Sequence, residues 1–336
     1  MRKNTMAAVL LAMLAMAGAS SGCTVDGAVG ASAAALESVE PAADASRAGL
    51  YAQTSSLHFR DIGGRNVQIV AHRPTNASGP RPMLVFSPGF QFPSKSYEAL
   101  AQRLATHGFV VLRVDNPINN LLQTDHVTMA SDLSKVIDWA LASGSPVASM
   151  VDAGRIAVFG HSLGGKLSAM VAHTDPRIAA AFLIDPVNGG SPLSGYSSSL
   201  PDIVPDDTGD LVIPVGLLGE TTDTKGSIFG VAPACAPADQ NYQTFFDSAG
   251  ASPWVTEWTV AGADHLDFIY DRTYCALFCI DALCKNGSVS SSSVNTIEST
   301  MVTAFFRYHL YGEAASNEYL RGSKIPSGIS QTRRRP

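Results

Sequence analysis

Short apolar runs alternate along the chain with segments in which apolar residues recur every three or four positions. The predicted strands are the apolar runs at 66–74, 83–89, 109–115, 155–160, 178–185, 211–219 and 254–262. The predicted helices cover residues 96–107, 129–142, 163–173, 241–249 and 294–311. Runs such as 179–184 are apolar on both faces, which is typical of a parallel strand covered by helices on both sides. The alternation predicts an α/β protein with a mostly parallel, doubly wound sheet.

The composition favours one folded domain with flanking segments. The 336 residues are 46% hydrophobic and 15% charged, which is sufficient to bury a full core. We expect residues 56–320 to form this domain. Residues 23–55 are rich in Ala, Ser and Gly without core periodicity and are predicted to be a flexible tether, whereas residues 321–336 are predicted to be a disordered basic tail.

Residues 1–22 have the features of a secretory signal. Two basic residues precede an apolar run at 6–19 that is shorter than the roughly 20 residues of a membrane-spanning helix. Cys23 follows small residues, as at a bacterial lipoprotein cleavage site, although Ser20 stands where that site prefers Leu. Acylation of Cys23 and ordinary cleavage nearby are both open. We therefore expect an exported protein that is secreted, periplasmic or tethered to the membrane through an acylated Cys23.

The charge and the motifs present restrict the partners. A net charge of −6 disfavours nucleic acid, and the basic run at 333–335 is interpreted as a solvated end. The sequence has no P-loop and no dinucleotide-binding fingerprint after its first strand, so no cofactor is expected. No metal is expected either, and the pattern carries no indication of an oligomeric state.

Five cysteines are present. Four of them belong to the C-terminal half, namely Cys235, Cys275, Cys279 and Cys284. An even number in an exported protein favours two disulfides, for which three pairings are possible. A zinc site is the competing interpretation, but the C-x3-C-x4-C spacing lacks paired CxxC motifs. We expect a disulfide to cross-link the 275–284 segment and Cys235 to link the preceding loop to that segment.

The segment GHSLGG at 160–165 matches G-x-S-x-G, a sharp strand-to-helix turn that presents a nucleophilic serine above an α/β sheet. The same pattern also occurs at 18–22 inside the predicted signal, so the pattern alone is weak evidence. Ser162 has the required context, because an apolar strand precedes it and an apolar helical face follows it. Ser162 is therefore the predicted nucleophile.

A nucleophilic serine needs a base and backbone donors for the oxyanion. His265 follows the predicted strand at 254–262, whereas His309 lies inside a helical pattern. His265 is favoured because the loop after the last strand of such a sheet delivers the base, in the chain order Ser, acid, His. The predicted oxyanion donors are the backbone N–H groups of Leu163, directly after the nucleophile, and of Phe90 in the SPGFQ turn.

Two aspartates are candidates for the acid that orients the base. Asp185 ends the apolar strand after the elbow helix, and Asp223 follows the next strand, where many proteins with this elbow keep their acid. Both follow carboxyl ends of strands, where sites in open α/β sheets are built. Asp185 is favoured on local grounds, because a carboxylate at the rim of a fully apolar strand needs a partner. Asp223 is the alternative acid.

Several motifs together resemble the chlorophyllase family. They are GHSLGGK, LIDPVNG, CAP followed by YQTFF, DHLDF and LCKNG, in that family's order and approximate spacing. The resemblance runs from about Pro82 to Leu310. It implies an α/β-hydrolase fold and a triad formed by the elbow serine, the aspartate of IDPV and the histidine of DHLDF, which here are Ser162, Asp185 and His265.

Two departures limit what the resemblance implies about the substrate. Plant chlorophyllases typically have His-Gly where this chain has Pro88-Gly89, and commonly Arg where it has Leu163. The Pro-Gly-Phe turn is more similar to that of bacterial cutinases and polyester hydrolases. The pocket is expected to be apolar, lined by Phe90, Phe92, Phe229 and Phe268, although each of these rings could instead belong to the core.

The predicted function is a serine carboxylic-ester hydrolase of chlorophyllase-like type, acting on a hydrophobic ester such as a phytyl ester through an acyl-enzyme. A secreted lipase or cutinase-like esterase acting on lipids or polyesters is the alternative within the same reaction class. A non-catalytic surface binding protein with the α/β-hydrolase fold is the alternative from a different class.

Overall fold

A computed structural model describes residues 44–120, 123–190, 195–223, 235–274 and 285–335. The predicted signal, most of the predicted tether and Cys23 lie outside these ranges, as do Cys275, Cys279, Cys284 and Phe229. Among the helices of the described ranges, none has the length and apolar character needed to cross a membrane.

Nine strands within the described ranges form one sheet. The strands are β1 (Gln53–Ile62), β2 (Arg65–Pro74), β3 (Arg81–Ser87), β4 (Val110–Asp115), β5 (Val151–His161), β6 (Ile178–Ile184), β7 (Val215–Glu220), β8 (Val255–Val260) and β9 (Ile329–Arg335). The helices are α1 (Glu98–Thr106), α2 (His126–Leu141), α3 (Leu163–Thr174), α4 (Asp206–Gly209), α5 (Tyr242–Ser248), α6 (Ser291–Tyr311) and α7 (Asn317–Leu320). The strand order is β1-β2-β4-β3-β5-β6-β7-β8-β9.

The six central strands run parallel, and antiparallel strands lie at both edges of the sheet. β3 pairs in parallel with β4 and β5, and the parallel pairing continues through β6, β7 and β8. β1, β2 and β9 are antiparallel to their neighbours. This is the α/β-hydrolase fold that the sequence predicts.

Each face of the sheet carries its own hydrophobic core. β3 illustrates the alternation, because Met83 and Val85 pack into one core and Leu84 and Phe86 into the other. Helices α2, α3 and α5 contribute to the first core, and α1 and α6 contribute to the second. Burial on both faces explains why the central strands are recognisable from sequence as continuous apolar runs.

β1 is a strand that the hydrophobic pattern does not predict. All ten of its residues pair with β2 across the edge of the sheet, although its apolar residues Leu57 and Phe59 are exposed. Residues 44–52 are also held against the domain, since the Tyr319 hydroxyl donates to Asp44 at 2.6 Å and the Gly49 N–H to Thr106 Oγ1 at 2.8 Å. The prediction of a flexible tether up to residue 55 is therefore wrong for residues 44–55.

The C-terminal segment is also ordered, contrary to the prediction of a disordered basic tail over 321–336. β9 pairs antiparallel with β8. Arg333 forms ion pairs with the buried carboxylate of Glu257 and with Asp247. A run of arginines is normally solvated, but here a buried carboxylate on the neighbouring strand supplies the partner that orders it. The pairing partner lies far away in the sequence, so the basic pattern alone gives no sign of it.

Candidate active site

Ser162 lies between β5 and α3 in a strained turn. Its φ of 56°, with a ψ of −120°, is positive, which a non-glycine residue rarely adopts. The turn fits only because its neighbours are small, since a Cβ at Gly164 would lie 1.9 Å from the Ser87 carbonyl oxygen. A Cβ at Gly165 would lie 2.8 Å from Pro186 Cβ. This is the sharp strand-to-helix turn that the G-x-S-x-G motif predicts.

The structure brings His265 between Ser162 and Asp185. His265 begins a short 3-10 helix, His265–Phe268, in the loop after β8. Its Nε2 is 2.9 Å from Ser162 Oγ, and its Nδ1 is 2.5 Å from Asp185 Oδ2. The other candidate base, His309, lies in α6, and its ring packs against Trp254 and Phe305.

Asp185 follows the last residue of β6 and is fully buried. Its backbone N–H donates to the Leu218 carbonyl of β7 at 2.7 Å. Its φ of 39° is again positive. Within the described ranges, three non-glycine residues have a positive φ, namely Gln91, Ser162 and Asp185. All three belong to the candidate site, which is where backbone strain is expected to concentrate.

Asp223, the alternative acid, does not hold the base. It follows β7 and is also buried, and its backbone N–H donates to the carboxylate of Glu220 at 3.0 Å. Both ring nitrogens of His265 are already engaged, by Ser162 and by Asp185. Asp223 acts on His265 through its charge rather than through contact.

The two predicted oxyanion donors belong to segments that lie close to Ser162. Leu163 is the first residue of α3, so its N–H has no acceptor within the helix. Gly89 packs close to the serine, because a Cβ there would lie 3.5 Å from Ser162 Cβ. Phe90 directly follows Gly89, and its N–H donates to no backbone carbonyl among the described residues. Neither N–H group donates to a backbone carbonyl of the described residues, which is what the predicted oxyanion site requires.

Asn119, a residue that no sequence pattern predicts, holds the turn that carries Phe90. Its Nδ2 donates to the Gly89 carbonyl at 3.0 Å, and its Oδ1 accepts the Gln91 N–H at 3.1 Å. One amide side chain thus binds the backbone on both sides of Phe90. Asn119 lies in the loop after β4, and no motif in that loop distinguishes it from the neighbouring asparagines.

The electrostatics of the site are dominated by burial. Burial lowers the pKa of His265 to about 4, and the charges of Asp223 and Asp264 act in the opposite direction. The imidazole is therefore neutral near neutral pH, as a general base must be. Burial raises the pKa of Asp185 well above its usual value, and the same two neighbouring charges raise it further. The hydrogen bond from His265 counteracts this by stabilising the carboxylate.

Glu220 adds a further buried carboxyl group behind the acid. Burial, followed by the charge of Asp185, raises the pKa of Glu220 to about 9. Glu220 is therefore protonated at neutral pH, which keeps one negative charge away from Asp185. Its oxygens also accept the backbone N–H groups of Thr222 and Asp223.

The loop that carries His265 is stabilised by carboxylates. Asp264 caps the short helix by accepting the N–H groups of Leu266 and Asp267, at 2.8 and 3.1 Å. Its second oxygen accepts the Gly287 N–H at 2.6 Å. Gly287 belongs to the LCKNG motif, so this hydrogen bond connects the motif directly to the base loop. A Cβ at Gly287 would lie 2.6 Å from the Gly262 carbonyl oxygen, which explains the glycine.

The predicted pocket residues and cysteines lie only in part within the described ranges. Phe268 is fully buried in a core, whereas Phe90 and Phe92 are partly buried and pack against the two cores. Cys235 is disulfide-bonded. The other cysteines lie outside the described residues, so the pairing stays a prediction. In the described ranges, no group of three or more His, Cys, Asp or Glu side chains is arranged to hold a metal ion.

Comparison with known proteins yields two groups of relatives. Chlorophyllase-1 of Arabidopsis thaliana is 30% identical over 251 residues, which cover 71% of this chain and 75% of that protein. The chloroplastic chlorophyllase-1 of Citrus sinensis is 25% identical over 84% of this chain and 89% of its own length. Cutinase est2 of Thermobifida alba is 28% identical over 53% of this chain and 55% of its own length.

These relatives support assignment of the chain to the carboxylic ester hydrolases. The match to the cutinase covers about half of the chain, whereas the chlorophyllase matches cover most of it. The family model for chlorophyllase matches residues 62–329, which include every strand from β2 to β8 and all three residues of the Ser162, His265 and Asp185 arrangement. The chain belongs to the chlorophyllase family.

Proposed function

We propose that the protein is a serine carboxylesterase that cleaves a hydrophobic ester through an acyl-enzyme. The observation that carries this proposal is the continuous hydrogen-bonded chain from Ser162 Oγ through His265 to Asp185. The same three residue types, in this order of contact, catalyse acyl transfer on several unrelated folds.

In the proposed mechanism, His265 Nε2 takes the hydroxyl proton of Ser162 as the oxygen attacks the ester carbonyl. Asp185 holds the Nδ1–H of His265 and stabilises the imidazolium that forms. The N–H groups of Phe90 and Leu163 donate to the oxyanion of the tetrahedral intermediate. The imidazolium then protonates the departing alcohol, which leaves an acyl group on Ser162.

Deacylation uses the same groups in reverse. His265, neutral again, takes a proton from a water molecule that attacks the acyl carbonyl. Collapse of the second tetrahedral intermediate releases the carboxylic acid and returns the proton to Ser162. Burial supports this role because it keeps the imidazole unprotonated between the two half-reactions.

We propose a chlorophyllase-like substrate, in which a long-chain alcohol such as phytol is the leaving group. The two chlorophyllase relatives, which match 71% and 84% of this chain, support this choice. A cutinase-like activity on lipids or polyesters is the second candidate. It is favoured by the Pro88-Gly89-Phe90 turn and by a 33% identical terephthalate-ester hydrolase of Streptomyces coelicolor that matches 48% of the chain.

Reaction class and substrate are tested separately. A fluorophosphonate probe should label the wild-type protein but not Ser162→Ala; equal labelling of both would indicate a non-catalytic binding protein instead. Hydrolysis is then measured on chlorophyll, on aryl esters of increasing chain length and on an insoluble polyester. A chlorophyll rate at background together with polyester hydrolysis would replace the first substrate by the second.

We also propose that the protein is exported and tethered through an acylated Cys23. The apolar run and the small residues before Cys23 support this proposal. Expression in a bacterial host with a labelled fatty acid should place label on the wild type and not on Cys23→Ser. A soluble, unlabelled wild-type protein cleaved near residue 22 would instead indicate ordinary secretion.

A further inference from the structure

His161, the residue directly before the nucleophile, uses both of its ring nitrogens inside the protein. It is the last residue of β5 and is buried. Its Nδ1 lies 2.7 Å from the hydroxyl oxygen of Tyr97, and its Nε2 lies 3.0 Å from the backbone carbonyl oxygen of His265. The side chain therefore contacts the loop that carries the proposed base, 104 positions further along the chain.

The partners of His161 determine its tautomer. A backbone carbonyl can only accept a hydrogen bond, so Nε2 must carry the proton. Nδ1 is then an acceptor, and Tyr97 donates its O–H to it. Burial lowers the pKa of His161 well below its usual value and raises that of Tyr97, so both groups stay neutral. The direction of both hydrogen bonds is thereby fixed.

The same two side chains also contact the turn that carries the proposed oxyanion donor. The Gly89 N–H lies beside the Tyr97 oxygen and lowers the pKa of that hydroxyl. A Cβ at Gly89 would lie 3.2 Å from His161 Nδ1 and 3.3 Å from the Tyr97 oxygen. Gly89 directly precedes Phe90. The position of the Phe90 N–H therefore depends on a residue that packs against these two side chains.

His161 also packs against the ring of the base itself. The centroids of the His161 and His265 rings are 4.6 Å apart, with an angle of 35° between the ring planes. The ring of Tyr97 lies 5.8 Å from that of His161 and 4.8 Å from that of Phe86. The ring of His161 therefore packs against the rings of both the base and the tyrosine.

We propose that Tyr97 and His161 form a positioning pair that holds the base loop and the oxyanion turn in one geometry. The inference rests on the proposed function, because it concerns the same reaction. Neither residue touches the reacting atoms. Burying two hydrogen-bonding side chains costs desolvation that two apolar residues would avoid, and a fully satisfied polar network instead specifies one arrangement. That arrangement aligns His265 Nε2 and the Phe90 N–H on Ser162.

The first test is Tyr97→Phe, which removes one hydroxyl and keeps the ring. The substitution leaves Nδ1 of His161 buried without a donor, and the expected loss is about 10-fold in kcat on a soluble aryl ester. KM is expected to stay within about twofold, since ground-state binding is not altered. The rate at which a fluorophosphonate labels Ser162 should fall in parallel with kcat.

The matched control is Tyr311→Phe. The hydroxyl of Tyr311 is also a hydrogen-bond donor, to the Gly108 carbonyl at 2.8 Å, but this contact lies at the amino-terminal end of β4, away from the carboxyl ends of the strands where Ser162 lies. Its loss should lower the melting temperature without changing kcat. If Tyr97→Phe behaves in the same way, with a lower melting temperature and an unchanged kcat, the pair is merely structural and the inference is overturned.

The second test separates the two hydrogen bonds of His161. His161→Leu removes both and should lower kcat about 100-fold, whereas His161→Gln can keep a donor for the His265 carbonyl and should recover part of that loss. In the double variant Tyr97→Phe with His161→Leu, the two losses should not add. Full additivity would contradict the pair, even if one single variant folded poorly.

The same assays distinguish this inference from the proposed function. If the wild type shows no labelling that depends on Ser162, the proposed function fails and the inference falls with it. If the wild type is labelled and active but both Tyr97→Phe and His161→Leu retain its kcat, only the inference fails.

Discussion

Asp185 and Asp223 follow adjacent parallel strands, β6 and β7, at the same edge of the sheet. Both carboxylates are fully buried, and burial is the largest cause that raises the pKa of each. Only Asp185 reaches the imidazole of His265. The ends of β6 and β7 therefore both place a buried aspartate near His265, but only the aspartate after β6 is hydrogen-bonded to it.

The difference lies in the backbone. Asp185 follows its strand directly, and its positive φ turns the carboxylate towards His265 while its N–H remains bonded to Leu218 of β7. Asp223 comes three residues after β7, in a turn whose N–H groups are bound by Glu220. Burial of a carboxylate at a strand end thus does not identify the acid; the turn that follows the strand does.

The largest expected effect concerns Asp185. Asp185→Asn keeps the shape of the side chain but no longer stabilises the protonated imidazole, and kcat should fall about 10⁴-fold, as for the equivalent change in other triads. The measurement is kcat on an aryl ester, with thermal unfolding as the control for folding. If kcat falls by less than about tenfold, Asp185 does not orient His265, and Asp223 becomes the candidate acid.

The pH dependence of kcat/KM tests how the charge of Asp223 affects His265. Since His265 must be unprotonated, kcat/KM should be constant near neutral pH and should fall as the pH drops through about 4, tenfold per pH unit below it. Asp223→Asn removes a negative charge that raises the pKa of His265. In this variant, the fall of kcat/KM on the acid side should therefore occur at a lower pH than in the wild type. Asp247→Asn, which removes an exposed carboxylate paired with Arg333, is the control and should leave this fall at the pH of the wild type.

A smaller effect is expected on stability from Glu220. Its pKa of about 9 in the folded protein lies above the value of 4.5 usual for Glu, so its contribution to stability is complete below pH 4.5 and is lost as the pH rises through about 9. Glu220→Gln cannot lose a proton. Relative to the wild type, it should gain stability on the order of a few kcal/mol between pH 5 and pH 9 in urea unfolding.

Glu257→Gln is the matched control on the neighbouring strand β8. Glu257 is buried too, but it has a cation, because Arg333 of β9 pairs with it. Neutralising Glu257 leaves that arginine without its buried partner and should destabilise the protein at every pH in this range. The same response of Glu220→Gln and Glu257→Gln would show that Glu220 is not protonated at neutral pH.

The smallest effect is expected for Asp223→Asn. Because Asp223 does not contact His265, its replacement should change kcat at neutral pH by less than about threefold. The same assay as for Asp185→Asn measures it, with both variants tested at one pH. A loss as large as that of Asp185→Asn would mean that the two carboxylates act as a unit.

The sequence by itself determined the central architecture and indicated all three residues of the Ser162, His265 and Asp185 arrangement, with Asp223 left as the alternative acid. Strands buried on both faces are continuous apolar runs, and their alternation with helices gives the parallel sheet. The elbow around Ser162 is a local motif, because its glycines meet steric demands within a few residues of the serine. His265 follows from chain order after the last parallel strand.

The tertiary structure decided what depends on partners distant in the sequence. β1 and β9 are polar or basic strands whose order comes from β2 and β8, so neither has an apolar run to predict it. The local pattern favours Asp185 over Asp223 without excluding either, and the resemblance to the chlorophyllases implies Asp185, but only the tertiary structure shows the contact itself, 2.5 Å across 80 positions of the chain. Asn119, Tyr97 and His161 are recognised only by hydrogen bonds to backbone atoms or side chains of remote loops. Such contacts leave no periodicity along the chain, because their geometry exists only after the sheet has brought the loops together.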